Sequence, residues 1–346
     1  MRGFEWFLTA TALVSLTAPA IAHELGGQEA AIADHPDPPP IVAERITDGR
    51  FEPGDFEYLR GYFPGADARE TARYRQMTDW LEQCREVGKA RLAAQLAAAG
   101  LTLEDDRYTI SSPSLCTQVF RGEQFKQFET FDQLQNAARE ARLVFATLIE
   151  SIRLVEQRVG PITPNFAREL ETRILGEQLL RLSYNWGATT GDNPRIPQMS
   201  DDAKIVFKTF VTGEIGPIDR ANTLWLKRHV HENGWPLLSE VGEKASNAAW
   251  LLVQHADHDP VFQFDALKLM EPLVAEGEVS KGNFAYLYDR IMLKLNGEQR
   301  YATQMSCRDG AYVPQPLEEA GRVDELRAEM ELDPLSEYLT NFPASC

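Results

Sequence analysis

The sequence predicts a mainly α protein: stacked helical hairpins in two helical regions, with little or no sheet. Three observations predict it. Apolar residues return every three or four positions over long runs, capping residues and Gly or Pro bracket those runs, and period-two alternation is nearly absent.

The first 22 residues are expected to form a signal peptide. Arg2 is a positive flank, Trp6 to Ala18 is apolar, and Ala20-Ile21-Ala22 is a small-x-small cleavage site. That apolar run is shorter than the ~20 residues of a membrane span, so stable insertion after cleavage is not expected. Residues 23–44, with Pro36 and Pro38 to Pro40, read as a disordered, helix-free tether. An N-terminal helical region follows over residues 45–162. It opens with Ala68 to Gly100, where Met77, Leu81, Cys84, Leu92 and Leu96 share a helical spacing. Leu101 to Phe128 is irregular, with a short hairpin expected around "RYTISSPSLCTQVF". Thr130-Phe131-Asp132-Gln133 is a capping box for a long helix that Gly160-Pro161 ends.

The C-terminal helical domain is expected over residues 163–346. A helix follows Asn165, and another runs from Asp219 to Asn233, stopped by Gly234. Ser239 is a candidate cap for the next helix. Asp259-Pro260 starts a helix that should kink or stop near Pro272, and Ser280 starts one that ends at Gly297. A last helix is expected within Glu318 to Leu339.

Fifty-two acidic against 35 basic residues give a net charge of −17, without a basic run. That argues against nucleic acid and anionic membranes as partners and leaves a small molecule or another protein. Export to a secreted or periplasmic location makes two disulfides the expectation for four cysteines. Proximity in the chain favours Cys84–Cys116 and Cys307–Cys346.

The stretch "AAWLLVQHADHDPVFQ" carries the candidate chemistry, because Gln254 and His255 arrive while a helix is still packing. His255 shares the stripe of Ala248 and Leu252, so it either caps the helix end or serves a site. His255 and His258 with Asp257 or Asp259 form a weaker, metal-binding alternative. No motif for a nucleotide, a zinc protease or a serine nucleophile occurs, and no cofactor is expected. Trp225, Trp235 and Trp250 read as core anchors, and His229 and His231 as solvated.

"IDRANTLWLKRHVHENGWP", "VG", "AAWLLVQHAD", "FQ", "AYLYDR" and "GEQRYATQ", in that order, resemble a bacterial domain known as domain of unknown function 6624. Pro316-Leu317, Val323-Asp324, Arg327 and "LDPLSEYL" resemble its closing phrase, and Glu177-Gln178-x-x-Arg181 its Asp-Gln-x-x-Arg. The resemblance runs from about Asn165 to Leu339. Ala302 stands where the family has Gly, Glu177 where it has Asp, and Pro272 is unusual. The resemblance implies no reaction, but it adds site candidates.

Asp289 and Arg290 lie mid-helix beside an apolar face, where unpaired charge is costly. Gln254, Gln263, Gln299, Gln304, Tyr301 and Arg181 add hydrogen-bonding groups. Together they predict either a ligand-binding polar pocket around His255 or a buried network that fixes helix stacking. The enzyme alternative is a hydrolase with His255 as general base, Asp289 as its orienter and Arg290 stabilising negative charge.

Overall fold

The computed structural model describes residues 35–107, 109–159, 165–187 and 197–346. The expected signal peptide, the first part of the tether, the break at 160–164 and most of the 188–199 loop lie outside the described residues.

Helix boundaries form where short polar side chains and glycines satisfy the backbone. Helix α1 is Pro40–Ala43, and α2 is Ala68–Ala99, opened by an Asp67–Glu70 capping box and closed by left-handed Gly100. Helix α3 is Ser114–Gln118 and α4 is Phe131–Val159. Thr130 and Gln133 bond reciprocally at the start of α4, as the sequence predicts. Asn165 caps α5 (Phe166–Tyr184), and Ser200 caps the long α6 (Asp201–Asn233). The short α7 (Leu238–Val241) precedes α8 (Glu243–Gln254). Asp259 caps α9 (Pro260–Glu276), and Ser280 caps α10 (Lys281–Asn296). Helices α11 (Val323–Glu329) and α12 (Leu335–Tyr338) are short.

The structure corrects several expectations. Part of the tether is pinned: Pro40 opens α1 at a position where its missing N–H costs nothing. Ile41 and Val42 are buried, and Trp80 Nε1 donates to Pro36 O at 2.9 Å. Among the described residues of 107–120 no hairpin forms; α3 occupies part of that stretch, because Leu115 and Cys116 pack into the core. Helix α6 begins at Asp201 rather than near Asp219 and continues through Pro217. Helix α9 passes through Pro272, where Pro272 and Lys268 are exposed and the carbonyl left without a donor meets water. Gly242, not Ser239, precedes α8, and the expected last helix is divided between α11 and α12.

Two small antiparallel hairpins were not anticipated. Strand β1 (Ile46–Thr47) pairs with β2 (Arg50–Phe51), and β3 (Met305–Arg308) pairs with β4 (Ala311–Pro314). Both turn on Asp-Gly with positive φ at each residue, 50° and 74° at Asp48-Gly49 and 54° and 80° at Asp309-Gly310. That dipeptide is a strong hairpin signal in itself.

Among the described residues two large hydrophobic cores form, together with a small third cluster of Ala285, Tyr301 and Leu326. The first runs from Ile41 through α2 and α4 to Leu180 of α5 and to Val206, Phe207, Phe210 and Val211 of α6. The second holds Leu170 of α5, Leu226 and Val230 of α6, and the inner faces of α8, α9 and α10. Helices α5 and α6 lie side by side and serve both. Gly213 allows the close approach of α6 to the first core, since a Cβ there would lie 2.8 Å from the Phe120 ring. Trp235 is buried and Trp225 and Trp250 pack on the second core, as anchors. His229 is only partly solvated, because its ring stacks on Phe166 with centroids 3.4 Å apart. Among the described residues no helix is long and apolar enough to cross a membrane.

Disulfides Cys84–Cys116 and Cys307–Cys346 are present, the pairing that chain proximity favours. The first ties α2 to α3, and the second ties the C-terminus to β3. Their sequence separations of 32 and 39 correspond to about 4 kcal/mol each in the chain-entropy account. Non-reducing peptide mapping should therefore return these two cross-linked peptide pairs and no titratable thiol. Any third pairing, or free thiol in the native protein, would contradict this arrangement.

Candidate functional site

Helices α5 and α6 leave one core and enter the other within a few turns, and their residues at the crossing are polar. Glu177 lies between Leu170 and Leu180 on α5, and Asp219 lies between Val211 and Leu226 on α6. The end of α8 brings His255 to the same place. Arg181 bonds the two carboxylates together: its Nε contacts Glu177, and its Nη2 donates to Asp219 at 2.9 and 2.8 Å. His255 Nδ1 lies 2.8 Å from Glu177 Oε1, at ion-pair distance but without hydrogen-bond geometry. Gln178 donates to the other Glu177 oxygen at 2.9 Å.

The cluster has a floor and a mouth. The Glu177 side chain is 1% exposed, His255 15% and Arg181 32%. Its two carboxylates titrate in opposite directions. Burial favours a protonated Glu177, but contact with His255 and the Arg181 charge outweigh it and lower its pKa. At Asp219 burial dominates; with Glu177 nearby it overcomes the pull of Arg181 and pushes the pKa up to about 7. Neighbouring carboxyls driven apart in this way are a common arrangement at acid–base and binding sites.

Arg290 does not reach that cluster. It grips Asp257 through both its Nε, at 3.0 Å, and its Nη2, while Lys294 Nζ donates to Asp257 at 2.7 Å and to Gln263 Oε1 at 2.8 Å. Gln263 Nε2 returns a bond to the Val253 carbonyl at 3.0 Å, which ties α9 to the end of α8. Burial opposes ionisation of Asp257, but Arg290 and Lys294 prevail and hold its pKa at about 2.

Asp289 is not the orienter of His255. Its carboxylate is buried and accepts four bonds: from the N–H groups of Arg300 (2.8 Å), Tyr301 (3.0 Å) and Thr303 (2.9 Å), and from the Thr303 hydroxyl (2.9 Å). Gln299 completes this loop by donating to the carbonyls of Gln304 and Gln315 and accepting from Gln304 N–H. Gln304 also donates to Thr303 Oγ1 at 3.1 Å. The Arg327 guanidinium is buried beneath and donates to Tyr301 O at 2.7 Å and Asp333 O at 2.6 Å. Asp289, Gln299, Tyr301 and Gln304 thus form a sealed lock for the segment after α10.

The alternative metal set of His255, His258 and Asp259 is also corrected. Asp259 caps α9 through Phe262 N–H at 3.0 Å and pairs with Lys227 at 2.6 Å, so its oxygens are committed. Among the described residues the clustered donor atoms are those of Glu177, Asp219 and His255, all within 4.8 Å of one another. Sequence reasoning placed Glu177 in a motif but not at His255, and it missed Asp219 as a site residue.

Comparison with known proteins supports the resemblance read from the motifs. Residues 201–344 match the model of DUF6624, a family of unknown function. The DUF6624 match starts with α6, so Asp219, His255 and the Asp289 lock fall inside it and α5 lies outside. No curated protein and no solved structure matches the chain.

Two outcomes are expected. Ala302, where the family has Gly, adopts φ +52° and is fully buried, so the turn keeps a left-handed residue. Ala302→Gly should be neutral or stabilising by up to ~1 kcal/mol, whereas Ala302→Val should cost about 1–3 kcal/mol in denaturant unfolding. At His258 burial and then the Arg220 charge depress the pKa from 6.5 to about 4, with Lys227 acting likewise and Asp257 and Asp259 opposing. The unfolded chain then binds a proton that the folded chain refuses. Relative to His258→Gln, the wild type should lose stability as pH falls from about 6.5 towards 4. Parallel stability–pH curves for the two proteins would contradict this assignment.

Proposed function

We propose that the protein is an exported helical binding module whose ligand site is the cluster of Glu177, Arg181, Asp219 and His255. Export follows from the N-terminal signal, with cleavage after Ala22. Two disulfides accord with an oxidising compartment. The contrast between two buried polar systems carries the ligand-site reading. The Asp289 carboxylate has all its acceptor positions engaged, as a scaffold requires. At the α8 end, Gln254 Oε1 is buried without a hydrogen-bond partner, and the neighbouring His255 ring meets Glu177 only at ion-pair distance in a cluster that reaches solvent. An unsatisfied group such as Gln254 Oε1 costs about 1–3 kcal/mol and supports a reading in which a ligand completes it.

A second reading, a hydrolase, is favoured by one feature: the Glu177 carboxylate beside the His255 ring. Glu177 would take the orienting role assigned to Asp289, His255 would remain the general base, and Asp219 with its raised pKa would supply an acid.

Thermal unfolding tests the binding module. A fraction of periplasmic metabolite extract should raise the midpoint of wild type and leave His255→Gln unmoved. No shift with any fraction, together with a large midpoint drop in His255→Ala, would return His255 to the scaffold. Appearance of turnover, abolished in Glu177→Gln, would instead favour the hydrolase.

A further inference from the structure

The ligand class of this cluster follows from its donor atoms, on the reading that it is a ligand site. We propose that Glu177, Asp219 and His255 bind a divalent transition-metal ion, with Arg181 filling the cation position in its absence.

Geometry is the first argument. Two carboxylate oxygens and an imidazole nitrogen lie within 4.8 Å of one another, and the closest pair, His255 Nδ1 and Glu177 Oε1, is 2.8 Å apart. Donors bound to one ion at about 2.1 Å are separated by roughly 3–3.5 Å, so small side-chain shifts close the set around an ion. The second argument is the state of His255. Its Nδ1 is buried and faces Glu177 Oε1 at 2.8 Å, so the ring nitrogen and a carboxylate oxygen already converge on one place.

The surroundings fit the same role. The donors come from α5, α6 and the end of α8, helices held by Leu180, Leu226 and Leu252 in the two cores. The Gln178 amide holds the second Glu177 oxygen and so orients the first, as an outer-shell partner does. Arg181 pairs with both carboxylates and is the most exposed member of the cluster, the side nearest solvent. One imidazole with two carboxylates suits Zn(II) or Mn(II), rather than Ca(II) with its all-oxygen shell or Cu(I) with thiolates. Other polar groupings do not offer this. Asp257 is already flanked by two cations, and the groove lined by His35, Pro36, Glu82, Gln83, Glu86 and Val87 shares no residue with the cluster.

Isothermal titration of the full chain, stripped with EDTA and then freed of it, tests the proposal with ZnCl₂ and with MnCl₂. Wild type should bind one equivalent of at least one of these ions. His255→Gln and Asp219→Asn should each weaken binding by at least about tenfold, and Arg181→Gln should strengthen it, because the competing internal cation is gone. Unfolding midpoints without metal confirm that each variant is folded, and His255→Asn replaces any that is not. Absence of saturable binding in both wild type and Arg181→Gln would overturn the proposal. So would binding that survives His255→Gln and Asp219→Asn unchanged, or binding that Arg181→Gln weakens. If the ions fail while an organic extract fraction still shifts wild type and not His255→Gln, the metal proposal falls and the binding-module reading stands.

Discussion

A single helix that must satisfy two hydrophobic cores sets the terms for this structure. The first half of α6 buries Val206, Phe207, Phe210 and Val211 in one core, and its second half buries Leu226 and Val230 in the other. Between them lies Pro217, which removes one helical hydrogen bond, and then Asp219. Helix α5 makes the same passage with Leu180, Glu177 and Leu170. Apolar packing is interrupted where both helices cross, and the interruption is filled with charge. A seam between cores is where clefts for ligands commonly form.

Polar groups of the C-terminal half divide by how completely they are satisfied. Asp289 organises the loop after α10 from a buried position, Arg327 clamps the carbonyl of Tyr301, and Gln299 fastens the same segment to residues 304 and 315. These bonds fix backbone, and their residues belong to scaffold. Asp257 with Arg290 and Lys294 forms a second closed unit, linked to α9 through Gln263. At the Glu177–Asp219–His255 cluster, by contrast, two carboxylates share one guanidinium and the His255 ring nitrogen meets Glu177 only at ion-pair distance. Charge that is buried and imperfectly paired adds little stability, and that contrast is the ground for the proposed binding role.

Much of this was legible in the sequence, for reasons that differ by residue. Helical period located α2, and caps located the starts of α4, α5, α9 and α10, because Thr130, Asn165, Asp259 and Ser280 act locally. The start of α6 was not legible: Gly213, Gly216 and Pro217 suggest a break, and only packing against both cores overrides it. Both Asp-Gly hairpins carried a readable signal that the overall helical pattern obscured. At the site, His255 stood out by its place in an apolar stripe, but its partner did not. Asp289 and Arg290 are adjacent on a helix and point about 100° apart, so they were never able to serve one histidine together. Glu177 reaches His255 across 78 positions, a contact set by how α5 packs on α8 and invisible to any local pattern.

The division between scaffold and site is tested most directly by denaturant unfolding of Asp289→Asn and Glu177→Gln in a metal-free buffer. Asp289→Asn turns an acceptor into a donor facing N–H groups and should cost about 2–4 kcal/mol. Glu177→Gln loses the charge pairing with Arg181 and His255 but keeps an acceptor oxygen and relieves repulsion with Asp219, so its cost should be clearly smaller than that of Asp289→Asn. A Glu177→Gln loss as large as that of Asp289→Asn would show that the cluster holds the fold together, and the assignment of a site there would be wrong.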